Sequence, residues 1–303
     1  MRGQMGAQRT LYRRGGTCLI RDDRNVPESD PYYNRHFTDI NGDEAVRLIG
    51  DFHKQGGPFF LNVWFLDPHM PYEPAPEPFW SRAAAEGISE DQRCFRSMVM
   101  HMDHKIGQIL AKLDELRIRD NTMIVFASDN GGAYEANIGP YKGGKTDLHE
   151  GGIRVPGIFS WPGHVKAGRV TEQVGHHCDI LPTFCAAAGV PLPDDYPGDG
   201  ISLFDHLVRG TEPKVRSTMF WQIDLYKTLQ RHYKKPLPYA TEATRQGRWK
   251  LMSMDGRPVA LYDLEADPLE TTNLLEKQAG VVDGLAAQVR SYLTAPRDRS
   301  GAQ

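Results

Sequence analysis

Thr122-Met123-Ile124-Val125-Phe126-Ala127 runs without interruption into Ser128-Asp129-Asn130-Gly131-Gly132. The first six residues are apolar or β-branched, and turn formers bound them. That pattern predicts a short strand buried on both faces. The Ser-Asp-Asn-Gly-Gly run then stops the strand and reverses the chain. Asp129 and Asn130 are adjacent hard oxygen donors at the carboxyl end of that strand. In open α/β sheets, ligands bind outside the carboxyl ends of the strands. Two such donors suit Ca2+, or Mg2+, rather than zinc, and need further ligands from elsewhere. On spacing alone, a plain Asp-Asn-Gly turn is the commoner meaning of the pattern.

Upstream, Phe59-Phe60-Leu61-Asn62-Val63-Trp64-Phe65-Leu66 is a second nearly continuous apolar run. It predicts another buried strand, ended by Asp67-Pro68-His69-Met70-Pro71, where proline breaks the ladder. His69 therefore lies just past a strand end. If both strands are parallel members of one sheet, His69, Asp129 and Asn130 converge. Between the runs, Ser89-Glu90-Asp91-Gln92 reads as a capping box. A helix follows, with Phe95, Met98, Met102, Ile106, Leu110 and Leu113 as its apolar stripe. An earlier helix is expected over residues 43–52, facing inward through Ala45, Leu48, Ile49 and Phe52. Alternation of helix and apolar strand predicts an α/β fold with a largely parallel mixed sheet flanked by helices.

Downstream, residues 131–152 form a Gly-rich loop containing Gly143-Gly144-Lys145. A glycine pair lets backbone approach a ligand, and the Lys145 ammonium can meet an oxyanion. The spacing is not that of a P-loop, and alone it reads as a solvated turn. Residues 153–161 predict a strand. Asp179 is expected to cap a helix that ends at Gly189, and a short helix over 202–208 ends at Gly210. His176-His177 point to opposite sides of an extended segment, so a shared metal is not expected. His101 and His104 read as surface or partly buried helix residues. Beyond Thr211, short strands around Trp249–Met252 and Val259–Tyr262 alternate with turns such as Asp255-Gly256. A small antiparallel sheet with a closing helix near Val281–Leu293 is expected there. The expected division is residues 1–210 and 211–303.

Composition limits the remaining possibilities. The 303 residues carry a net charge of −3, with 25% charged and 40% hydrophobic residues. No basic patch points to nucleic acid. No apolar run approaches the roughly 20 residues of a membrane span, and residues 1–14 lack the apolar centre of a signal peptide. Cys18, Cys94, Cys178 and Cys185 match no zinc or disulfide framework and read as buried or partly buried thiols. Residues 71–90, 131–142 and 222–240 are the loops expected to shape a pocket. Tyr226, His232, Tyr233, Lys234 and Lys235 are candidates for sugar recognition, though an exposed polar loop reads equally well.

Taken in order, these segments resemble the sulfatase family of the alkaline phosphatase superfamily. The resemblance runs from Pro58-Phe59-Phe60-Leu61 and Pro68-His69-Met70-Pro71 through Met102-Asp103-His104-Lys105-Ile106-Gly107 and residues 121–132. It continues through Gly144-Lys145, Glu150-Gly151-Gly152-Ile153-Arg154-Val155-Pro156, Trp161-Pro162-Gly163, Asp179-Ile180-Leu181-Pro182-Thr183 and Asp199-Gly200-Ile201-Ser202-Leu203. Arg248-Trp249-Lys250-Leu251, Leu261–Pro268 and Glu270-Thr271-Thr272-Asn273-Leu274 close the match. It implies an incomplete alkaline-phosphatase-like domain with a small C-terminal antiparallel subdomain. It implies a calcium-dependent sulfuric ester hydrolase acting on a carbohydrate or aryl sulfate. Asp129 and Asn130 match calcium ligands; His69 and Lys145 match catalytic residues that also bind the sulfate. Family members are commonly periplasmic, secreted or lysosomal.

The family attacks sulfur with a formylglycine made from Cys/Ser-x-Pro/Ala-x-Arg, and no cysteine or serine here supplies that motif. Asp22-Asp23 follows a short, Arg-interrupted segment, and the family's early Asp-Asp metal role is not carried onto it. The expectation is that roughly a third of the family's main domain is absent. The chain alone is then expected to fold poorly and to hydrolyse no sulfate ester. A phosphoester hydrolase of the same superfamily, and a non-catalytic remnant that binds a sulfated glycan, are the alternative readings.

Overall fold

The computed structural model describes residues 2–3, 19–21, 24–27, 29–33, 35–196, 198–212, 216, 218–223 and 240–295. Cys18, Asp22, Asp23, Tyr226, His232, Tyr233, Lys234 and Lys235 lie outside the described residues. The chain divides into two compact units, Met1–Met123 with Trp161–His164, and Ile124–Ser160 with Val165–Gln303.

In the first unit, β1 (Arg2–Gly3), β2 (Leu19–Arg21) and β3 (Arg24–Asn25) pair antiparallel in that order. Helix α1 (Phe37–Gln55) begins at His36, whose ring accepts a hydrogen bond from the Thr38 amide, and ends at Gly56 with φ 75°. The short α2 (Phe79–Arg82) precedes the long α3 (Glu90–Glu115). The expected capping box is present: Ser89 accepts from the Gln92 amide while the Gln92 side chain accepts from the Ser89 amide.

The buried face of α3 differs from the expected apolar stripe. Met98 and Leu113 are buried, but their companions are Cys94, Ser97, His101 and Lys105. Helix α1 packs there over Gly42, where an added Cβ would stand 2.7 Å from Lys105 Cδ. The Lys105 stem thus lies on bare backbone, and Nζ reaches Asp39 at 2.9 Å and Asp43 at 2.8 Å. His101 is only 1% exposed, and Nε2 lies 3.0 Å from Asp39 Oδ1. This corrects the reading of His101 as a surface or partly buried residue; its carboxylate partner is 62 residues away in sequence, beyond any local spacing. Burial pushes the Asp39 carboxyl pKa up, but hydrogen bonds from His101 and Lys105 outweigh it and hold it well below the usual carboxylate range.

The run at 59–66 is a second difference. It takes no strand pairing among the described residues. Phe60 and Trp64 are 70% and 77% exposed, while Phe59, Leu61, Val63 and Phe65 are half-buried. From Phe59 to Phe65 exposure alternates: Phe59 stacks on Phe52 of α1 at 5.5 Å, and Asn41 Nδ2 donates to the Trp64 carbonyl. Unbroken apolarity had implied two covered faces; one is covered here.

In the second unit, β4 (Ile124–Ala127) pairs antiparallel with β5 (Gly157–Ser160), Ile124 opposite Ser160 and Ala127 opposite Gly157. The α/β class stands, but every described strand pair is antiparallel where a largely parallel sheet was expected. Between β4 and β5 lie a Gly-rich loop and a single helical turn, α4 (Glu150–Ile153), so the chain returns beside the strand it left. Helices α5 (Ile180–Ala188) and α6 (Phe204–Arg209) end at Gly189 and Gly210, at φ 65° and 67°. Those residues satisfy the left-handed closure expected of them. Asp179 does not cap α5. Its buried carboxylate accepts from the His176 and Ile201 amides and pairs with Arg216.

The expected C-terminal sheet is present. Strands β6 (Met219–Gln222), β7 (Glu242–Gln246), β8 (Trp249–Met254) and β9 (Arg257–Asp263) form it in sequence order. Asp255 and Gly256 turn β8 into β9 at φ 50° and 75°. Helix α7 (Ala279–Thr294) buries Leu285, Ala286 and Val289 against Leu251 and Leu261. On the opposite face, Ala243, Met252, Ala260 and Tyr262 pack with Leu148 of the Gly-rich loop. Strand alternation therefore puts Lys250 on the loop side. Among the described residues no helix is long and apolar enough to cross a membrane. Cys94, Cys178 and Cys185 are free thiols, with Cys94 buried.

Candidate active site

Strand β4 delivers the chain to Ser128, where a tight turn begins. Ser128 Oγ donates to the Asn130 carbonyl at 2.9 Å, and His177 Nε2 lies 2.9 Å from the Ser128 carbonyl. Asp129 is exposed and Asn130 half-buried. Asn130 Nδ2 donates to the Gly131 carbonyl at 3.0 Å, which leaves its Oδ1 as the end able to ligate. Among the described residues the Asp129 carboxylate has no ion-pair partner. A carboxylate and an amide oxygen are a hard-oxygen pair that fits Ca2+.

The Gly-rich loop is fastened to that turn through backbone. The Gly131 amide donates to the Gly152 carbonyl and the Lys145 amide to the Gly132 carbonyl, both at 2.8 Å. The fit excludes side chains: a Cβ on Gly131 would lie 1.9 Å from the Gly151 carbonyl oxygen. On Gly152 it would lie 1.9 Å from the Asp147 carbonyl oxygen and 2.4 Å from that of Gly144. Three sequence-expected residues, Asp129, Asn130 and Lys145, thus sit on two segments joined by hydrogen bonds. Among the described residues the Lys145 ammonium has no carboxylate partner either.

His69 belongs to the first unit. Its amide donates to the Leu66 carbonyl at 2.8 Å, and its exposed ring places Nδ1 2.5 Å from the Met70 carbonyl. Against a carbonyl oxygen, Nδ1 must be the protonated donor. That fixes the neutral tautomer with its lone pair on Nε2, the form able to take a proton.

Behind Lys145 lies a polar layer that local sequence spacing does not reveal. His149 is buried, with Nδ1 2.7 Å from Asp147 Oδ1 and Nε2 3.5 Å from the Tyr262 hydroxyl. Lys142 Nζ reaches the same hydroxyl at 3.3 Å. Burial pushes the Asp147 carboxyl pKa up, but the His149 ring and backbone hydrogen bonds outweigh it and hold it below the ordinary value. Deeper still, Lys250 of β8 is 0% exposed, with Nζ 2.9 Å from Glu150 Oε1 and 2.8 Å from Glu270 Oε1. Glu270 Oε2 accepts the Glu150 amide at 2.6 Å. Two carboxylates and one ammonium thus lock the start of α4 onto the sheet, 100 and 120 residues away in sequence.

His176 and His177 take separate partners, as expected. His176 accepts from the Cys178 amide, and burial, then the Arg216 charge, pushes its pKa down. His177 supports the Asp129 turn, a role missed from sequence because the contact spans 49 residues.

Comparison with known proteins extends this picture. The family model described as Sulfatase matches residues 4–190, and N-sulphoglucosamine sulphohydrolase, C-terminal, matches residues 144–297. Human N-acetylgalactosamine-6-sulfatase is 39% identical over 160 residues, covering 50% of this chain and 29% of that protein. An N-acetylgalactosamine-6-O-sulfatase of Bacteroides thetaiotaomicron is 30% identical over 262 residues, covering 80% of this chain and 48% of its own. The crystal structure of Ps i-CgsB superposes with a TM-score of 0.79 at 24% identity, over 94% of this chain and 61% of that one. The chain thus spans less than half the length of these two curated relatives.

Proposed function

The chain belongs to the sulfatase family, and we propose that it serves the hydrolysis of a carbohydrate sulfate ester, with Asp129 and Asn130 as calcium ligands and His69 and Lys145 as catalytic, sulfate-binding residues. The observation that carries this is the backbone clasp between the Asp129-Asn130 turn and the Lys145 loop. It presents two hard oxygens and an ammonium from adjoining segments. Bound there, Ca2+ would neutralise and polarise the sulfate oxygens. Lys145 offers a mobile cation to charge growing on the transferring sulfuryl group and its leaving oxygen. His69, held with its Nε2 lone pair available, can exchange a proton with the ester oxygen. The formylglycine precursor motif is not in these 303 residues, so no covalent step is derived through it. The names of the relatives, both acting on N-acetylgalactosamine 6-sulfate, favour a sulfated amino sugar as substrate class.

Two measurements test the reading. Calorimetry on the 303-residue chain should find Ca2+ binding that Asp129→Ala and Asn130→Ala weaken. The protein at its full length should cleave N-acetylgalactosamine 6-sulfate in a Ca2+-dependent way, faster than it cleaves the 6-phosphate, and lose turnover in Lys145→Ala. Equal turnover of the phosphate, or calcium binding indifferent to both ligand substitutions, overturns it.

A further inference from the structure

We propose that His36, Asp67 and His101 form a binding site for a transition-metal ion, with Zn2+ the best chemical fit. One ligand atom from each residue lies within 4.8 Å of the others. All three belong to the first unit, and none is a residue of the Asp129 turn. Their side chains are 8%, 6% and 1% exposed.

His101 carries the argument. Its Nε2 faces the Asp39 carboxylate at 3.0 Å, so Nε2 bears the proton, and in the neutral ring Nδ1 bears the lone pair. That Nδ1 is buried and has no hydrogen-bond partner among the described residues. An imidazole held by a carboxylate through one nitrogen, with the other nitrogen bare, is the arrangement in which histidines ligate metals.

The neighbours agree with it. His36 Nδ1 lies 3.8 Å from Asp67 Oδ2, where an ion would take the lone pair that now accepts from the Thr38 amide, and its ring centroid lies 4.9 Å from that of His101. Glu73 Oε2 stands 3.8 Å from His36 Nε2, on the far side of that ring, where a carboxylate can hold the imidazole as Asp39 holds that of His101. Phe79 stacks on the His101 ring at 5.0 Å and closes the site on one side. Two imidazole nitrogens and a carboxylate oxygen suit Zn2+, Co2+ or Fe2+ and are a poor set for Ca2+ or Mg2+. An ion there would join the N-cap of α1, the middle of α3 and Asp67, two residues before His69. It would brace the turn that presents His69 without touching substrate.

The test uses the untagged chain, stripped with a chelator and titrated with Co2+ alone. Visible ligand-field absorption reads the binding, and Zn2+ should displace it. The wild type and Asp129→Ala are expected to take up one Co2+ per chain. His101→Gln and Asp67→Asn should lose it, and Asp39→Asn should bind about 10–100-fold more weakly. X-ray absorption of the Zn2+-loaded wild type should show imidazole and oxygen ligands at about 2.0–2.2 Å, which keeps the test decisive even where a ligand variant fails to fold. No Co2+ uptake by the wild type, uptake unchanged in His101→Gln and Asp67→Asn, loss in Asp129→Ala, or a shell without imidazole overturns the proposal.

Discussion

Lys250→Met isolates the buried charge cluster that seats the Lys145 loop. Methionine keeps the unbranched stem but removes the ammonium. Glu150 and Glu270, 5% and 0% exposed, then face each other without the cation that bonds both at 2.9 and 2.8 Å. Removing one partner of a buried ion pair costs about 3–5 kcal/mol, because the remaining charge is desolvated and uncompensated. For a domain of this class, each kcal/mol moves Tm by about 2–4 °C, so a fall of roughly 6–20 °C is expected. Thermal and urea unfolding at neutral pH measure it. The triple variant Lys250→Met, Glu150→Gln, Glu270→Gln removes the stranded charges, keeps the acceptor for the Glu150 amide, and should recover much of the loss. A single-variant shift below about 2 °C, the scale of a surface substitution, refutes the assignment. So does a triple variant no more stable than the single one, since the damage would then not come from uncompensated carboxylates.

Gly152→Ala should disable the loop outright, because its Cβ meets two carbonyl oxygens at 1.9 and 2.4 Å. A loss of about 3 kcal/mol or more in urea unfolding is expected, and near-wild-type stability contradicts the clasp. Asp147→Asn should show a pH signature. The Asp147 pKa is lowered from 3.8 in the folded state, so its contribution is fully present above that value and fades as pH falls through the folded pKa. The stability gap between wild type and Asp147→Asn should therefore be wide at pH 7 and shrink as pH falls below 3.8; a gap independent of pH contradicts the His149 pairing. Asn130→Ala should raise the Ca2+ dissociation constant by at least about tenfold, or 1.4 kcal/mol, while leaving far-ultraviolet circular dichroism unchanged. Unchanged calcium affinity would remove Asn130 from the ligand set.

Local signals in the sequence located the elements well. The Ser89–Gln92 box, the glycine ends of α5 and α6, and the Asp255-Gly256 hairpin all rest on contacts within a few residues, which is the range that sequence pattern encodes. The run at 59–66 misled because continuous apolarity does not say how many faces are covered. The exposed Phe60 and Trp64 show that one is not. The same limit explains the site. Asp129, Asn130 and Lys145 were legible as candidates only through the resemblance, since spacing alone favoured plain turns. Their support was not, since the contacts of His177 with Ser128, of Lys250 with Glu150 and of Glu270 with Glu150 span 49, 100 and 120 residues.

Both units use the same physical device, and its form bears on function more than on stability. In each, a lysine from a regular element reaches two carboxylates: Lys105 of α3 holds Asp39 and Asp43, and Lys250 of β8 holds Glu150 and Glu270. Buried ion pairs are weak contributors to net stability, because desolvation offsets most of the attraction. An apolar core would hold α1 on α3, or the loop on the sheet, at least as firmly. What a charged cluster adds is direction, since each oxygen must meet its donor at one angle and distance. Asp39, so held, orients the His101 ring. Glu150, so held, fixes the α4 turn whose Gly152 carbonyl anchors Gly131 beside Asp129. Displacement of about 1 Å in a reacting group can cost about a hundredfold in rate. Directional charge behind glycine-rich loops is therefore the economical way to hold the Lys145 ammonium in register with the oxygens of Asp129 and Asn130.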